Sequence, residues 1–144
     1  MRALVAVLLL VLPALGAPVP KEVKRAEKLD GLWAITAMET FGRPQPVVKQ
    51  HWRIEGDKLT VERLIVGDAT PRPRPSIAIK VDASTIPKSL DYNTGRAAAA
   101  RLAIYEVDGD TLRILMAASR VGERPKEMKA DDRTMLYTFK RVKE

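Results

Sequence analysis

Hydrophobic and polar residues alternate with a period of two on both sides of Gly56-Asp57. A Gly-X pair suits a two-residue type II′ turn, which joins antiparallel strands without splaying them. Counting outward from that turn sets Glu55 opposite Lys58, Ile54 opposite Leu59, Arg53 opposite Thr60, Trp52 opposite Val61 and His51 opposite Glu62. Trp52, Ile54, Leu59 and Val61 then share one face, and the other face is polar. A slip of one residue would mix the two faces, so pattern and turn specify the same register.

A second hairpin follows the same logic. Residues 102–107 run into Asp108-Gly109, a type I′ signal, and residues 110–116 follow. Registered on that turn, Tyr105 lies opposite Leu112, Ala103 opposite Ile114, and Glu106 opposite Thr111. Three further segments have strand composition: residues 32–38, residues 76–82 with Ile77, Ile79 and Val81 on one face, and residues 134–142 with Met135, Tyr137 and Phe139 on one side. Residues 88–92 form a weaker strand. Residues 97–100 are four alanines, which favour a helix, and their state stays open.

The connections carry turn chemistry. Residues 41–46 read as a loop set by Gly42, Pro44 and Pro46. Pro71, Pro73 and Pro75 alternate with Arg72 and Arg74, and three missing ladder donors keep this stretch out of a central strand. It should be extended and exposed. Residues 118–133 form a long charged connection. About eight strands with one apolar face each, joined by short links, make an all-β antiparallel sandwich or up-and-down barrel.

The first residues follow a different pattern. Arg2 precedes an unbroken apolar run, residues 3–12, which Pro13 ends before the small residues Ala14, Gly16 and Ala17. This reads as a secretory signal peptide, residues 1–16, cut after Gly16; the alternative is an anchor that is never cut. The run is shorter than the roughly 20 residues a membrane-spanning helix needs, and the mature chain holds no other candidate span. Residues 17–27 form a charged lead-in or short helix, with Val23 and Ala26 at helical spacing. The domain occupies residues 28–144. Export places the protein in the periplasm or outside the cell.

With no cysteine in the chain, disulfides and thiolate metal sites are excluded, and stability must come from packing. The net charge of +7 favours anionic surfaces, such as an envelope polymer. The compartment argues against nucleic acid as the partner.

Several strings together resemble a known family. They are Leu29-Asp30-Gly31-Leu32-Trp33 at the start of the domain, residues 54–61 and 104–112 at the hairpins, Glu123-Arg124-Pro125, and Lys140-Arg141-Val142-Lys143. In this order they resemble an uncharacterised family of lipocalin-like exported proteins expanded in planctomycete bacteria. The resemblance runs from about residue 28 to 143. It implies a single lipocalin-like (calycin-type) antiparallel β-barrel of about eight strands. It implies no reaction. Lipocalins place a Gly-x-Trp on the first strand and an arginine of the last strand over that tryptophan. Gly31 and Trp33 match the first feature, and Arg141 is the candidate for the second, a cation–π contact of about 0.5–2 kcal/mol.

The candidate chemistry is correspondingly sparse. His51 is the only histidine and faces Glu62, a solvated pair with no nucleophile beside it. Glu106, Asp108 and Asp110 fit a tight turn rather than a calcium loop. Asp131-Asp132 reads as a loop pair. Phosphate loops, nucleophile elbows and Ser-x-x-Lys motifs are absent. The expectation is a non-catalytic protein without cofactor or metal. Trp33, Trp52, Ile54, Tyr105, Ile114, Met116, Tyr137 and Phe139 point into the barrel and would line a small hydrophobic or amphipathic ligand. Arg72 and Arg74 form a candidate basic docking loop. The alternative is an envelope interaction module with a filled barrel and a basic exterior.

Overall fold

The computed structural model describes residues 29–64, 72–93 and 99–144. Residues 1–28, on which the signal-peptide and lead-in expectations fall, and residues 65–71 and 94–98 lie outside them. All regular structure among the described residues is β. The strands are β1 (Gly31–Thr40), β2 (Arg43–Gln45), β3 (Gln50–Glu55), β4 (Lys58–Arg63), β5 (Arg72–Pro73), β6 (Ile77–Asp82), β7 (Ser89–Asn93), β8 (Arg101–Asp108), β9 (Thr111–Ala117) and β10 (Thr134–Arg141). The order β1-β3-β4-β6-β7-β8-β9-β10 is closed by pairing of β10 with β1. Every pairing is antiparallel. The result is a closed up-and-down barrel of lipocalin-like form. Closure leaves no free edge in the ring.

The first hairpin has the register set by its turn, from Glu55 opposite Lys58 to His51 opposite Glu62. The second differs. Asp108 pairs with Thr111 and Tyr105 with Ile114, so the turn residues are Gly109-Asp110, not Asp108-Gly109. The reason lies in the backbone. A type I′ turn needs positive φ at both central residues, whereas type II′ needs it only at the first. Gly109 has φ 57° and supplies it, as Gly56 does with φ 58° in the first hairpin. Because the partner shifts by two residues, the faces are preserved. Glu106 now opposes Arg113 and pairs with it at 2.6 Å, in place of Thr111.

Two connections carry short strands of their own. Phe41 (φ 54°) and Gly42 (φ 68°) form a turn that folds the short strand β2 onto β1, with Thr40 opposite Arg43. Residues 43–45 are therefore paired rather than loop. Pro73 belongs to the two-residue strand β5, which lies along the upper part of β4, while β6 pairs with its lower part. The prolines thus split one wall strand into two pieces.

Alternation fills the barrel. Trp33, Phe139, Ile54, Leu59, Leu90, Leu112 and Ile114 are less than 2% exposed, and all but Trp33 and Leu90 lie on strands whose phase the pattern had fixed. In β1 a bulge between Ile35 and Ala37 resets the phase, which turns Met38 inward as well. A second, outer cluster joins Ile104, Leu115 and Leu136 to Met128 and Ala130 of the β9–β10 connection. That connection is held by Arg124, which donates to the Ala103 carbonyl at 2.7 Å and meets Asp91 at 2.6 Å.

Candidate binding site at the open end of the barrel

The two barrel ends are built differently. At the closed end, Trp33 Nε1 donates to the Leu29 carbonyl at 2.9 Å. The Arg141 guanidinium lies 4.1 Å from the Trp33 ring centroid and donates to the Asp30 carbonyl at 2.8 Å. Gly31 makes room for this plug. A Cβ there would stand 2.7 Å from Arg141 Nη1, and its φ of 134° disfavours any side chain. Trp33 Nε1 and Arg141 Nη1 at this end thus both have carbonyl acceptors.

The other end is less complete. Trp52, only 4% exposed, packs against Phe139 at 4.9 Å, Tyr137 at 5.4 Å and Tyr92 at 6.3 Å between ring centroids. Its Nε1 is buried and has no hydrogen-bond partner. A buried amide-like donor left unpaired costs about 1–3 kcal/mol. Above it stand the half-buried side chains Tyr92, Tyr137, Met38 and Met135. Burial raises the phenol pKa of both tyrosines, and the Arg101 charge pulls both back down.

Arg101 opens β8 opposite Tyr92, in phase with the core residues Ala103, Tyr105 and Val107. It therefore faces the barrel interior. Its hydrogen bond runs to Met135 Sδ at 3.9 Å, a weak acceptor. Arg74 and Arg120 add positive charge near Tyr92. Sequence pattern missed Arg101, because it stands between the ambiguous alanines and the apolar run of β8. Extending the β8 alternation by one inward position reaches it.

The eight residues expected to face inward all belong to the inner cluster. Trp33, Ile54, Ile114 and Phe139 are enclosed, Tyr105, Met116 and Trp52 are nearly so, and Tyr137 is half-buried. Arg74 is exposed at the barrel wall and its amide donates to the Val61 carbonyl at 3.0 Å; Arg72 pairs with Arg63 in the β4–β5 ladder. His51 does face Glu62 in register, but the Glu62 carboxylate accepts from Arg53 at 2.9 Å, and Arg53 also reaches Glu144 at 2.8 Å. The Glu62 carboxylate is thus engaged by the Arg53 guanidinium. Asp131 accepts from the Arg133 amide at 2.8 Å and so shapes its loop.

Two clefts lie outside the barrel. One of about 910 Å³ runs along the β9–β10 connection beside Phe41. Another of about 550 Å³ lies under residues 83–88. Among the described residues no group of acidic or histidine side chains is placed to hold a metal ion, and no helix is long and apolar enough to cross a membrane. The chain matches no protein-family model, no curated protein and no solved structure.

Proposed function

We propose that this is an exported, non-catalytic binding protein that holds a small amphipathic ligand in the open end of its barrel. The observation that carries this reading is Trp52 Nε1, a buried donor without an acceptor beneath two half-buried tyrosines. A bound ligand supplies the acceptor and covers the tyrosine rings. Export follows from the signal-like first 16 residues, and it agrees with the resemblance to lipocalin-like exported proteins.

A second reading has its own support. The lower barrel is filled by side chains less than 2% exposed, and the chain carries a net charge of +7. A filled barrel with a basic exterior suits an envelope module that binds an anionic polymer or protein.

Native mass spectrometry of the protein purified from its own host separates the two. The binding reading expects a stoichiometric mass excess that survives high-salt washing and leaves on unfolding. A bare protein mass, together with polymer binding that fades as salt screens it, would favour the envelope module.

A further inference from the structure

Five arginines among the described residues are part-buried: Arg53, Arg101, Arg113, Arg124 and Arg141. Four of them have oxygen acceptors. Arg53 pairs with Glu62 and Glu144, Arg113 with Glu106, Arg124 with Asp91 and the Ala103 carbonyl, and Arg141 with the Asp30 carbonyl. Arg101 has only the Met135 thioether at 3.9 Å. Its guanidinium is the one among these five with no carboxylate or carbonyl partner.

The charge pattern of the wall sharpens this. Alternation through the described strands puts Asp82, Asp91, Glu62 and Glu106 on the outer phase, and no Asp or Glu falls on the inner one. On the eight strands of the closed ring the charged residues on the inner phase are Arg63, Arg101 and Arg141, and Arg141 is occupied over Trp33. Among the described residues the mouth is therefore positive from within, with an aromatic lining and no acidic side chain on its inner phase.

On the basis of the ligand-binding reading above, we infer that the ligand is a compact amphiphile with one carboxylate. The Arg101 fork takes the carboxylate in the bidentate geometry that suits it. Trp52, Tyr92 and Tyr137 take an aromatic or short aliphatic body. Compactness follows from what lies beneath. Trp52 packs directly on Phe139, and Ile54, Leu59, Leu112 and Ile114 below are at most 1% exposed, so a long acyl chain finds no channel.

The test is calorimetric titration of the whole protein with phenylacetate, with its neutral isostere phenylacetamide, and with palmitate. Phenylacetate should bind about tenfold or more tighter than the amide, since hydrogen bonds to a charged group add that much. Arg101→Gln should erase the preference, weakening phenylacetate by about tenfold or more and the amide by less. Its fold is checked by an unchanged thermal midpoint, and Arg74→Gln serves as a rim control that keeps the preference. Equal binding of acid and amide would overturn the carboxylate while leaving the binding reading intact. Loss of the preference in Arg74→Gln rather than Arg101→Gln would overturn the assignment of Arg101. Tighter binding of palmitate would overturn compactness. Binding of none of the three would remove the ligand and the binding reading together.

Discussion

Trp33 and Trp52 are cross-strand partners on β1 and β3, both directed into the barrel, and both are almost fully buried. Their surroundings diverge from there. Trp33 leans to the closed end, where Leu29 accepts its hydrogen and Arg141 covers its face. Trp52 leans toward Tyr92 and Tyr137, and its indole hydrogen meets nothing. The same contrast separates Arg141, with its carbonyl acceptor, from Arg101, with a thioether. One end is a finished structural plug. The other carries two donor groups, the Trp52 indole and the Arg101 guanidinium, without an oxygen acceptor among the described residues, as expected of a surface shaped for something that binds.

The widest gap between the ends should appear on replacing each indole by phenyl. Trp33→Phe strands the Leu29 carbonyl and weakens the stack with Arg141, at a cost of about 2–4 kcal/mol. Trp52→Phe removes a donor that was already unpaired and should cost less than about 1 kcal/mol beyond lost volume. Denaturant midpoints of the two variants measure the difference. Equal losses would mean that the two indoles are held alike.

A smaller effect tests the plug alone. Gly31→Ala places a Cβ against Arg141 Nη1, 2.7 Å away, on a backbone at φ 134°. The strain should cost about 1–3 kcal/mol in a denaturant titration. A neutral result would mean that Arg141 leaves the Trp33 ring without penalty.

The smallest effect reads the open end. Burial raises the Tyr92 and Tyr137 pKa values in the folded chain above the ordinary value of 10.0. Their contribution to stability is therefore complete below pH 10 and is lost as pH climbs through the raised folded values. Arg101 lowers both, so Arg101→Gln should move both phenolate transitions to higher pH in ultraviolet absorbance. Unchanged transitions would place the guanidinium away from the two rings.

Much of the barrel was legible in the sequence, and for identifiable reasons. At Gly56-Asp57 the turn and the alternation agree, so register, faces and core follow together. At Asp108-Gly109-Asp110 two overlapping dipeptides each make a turn, and the choice depends on which residue takes positive φ. Gly109 decides it by being first, which shifts the ladder but not the face. Gly31, Trp33 and Arg141 were marked by resemblance, and geometry brings them together. The open end was harder to read. Whether the Trp52 hydrogen finds an acceptor depends on which side chains of four other strands surround it, and no local pattern encodes that. Arg101 carried no signal of its own in the sequence, and only the inward phase of β8 places it in the mouth.

The most direct measurement is a proton–nitrogen correlation spectrum of the two indole N–H groups during titration with phenylacetate. The account predicts that the Trp52 resonance moves downfield as its hydrogen gains an acceptor, while the Trp33 resonance, already bonded to Leu29, stays fixed. A moving Trp33 resonance with Trp52 unchanged, or no movement of either at saturating phenylacetate, would contradict it.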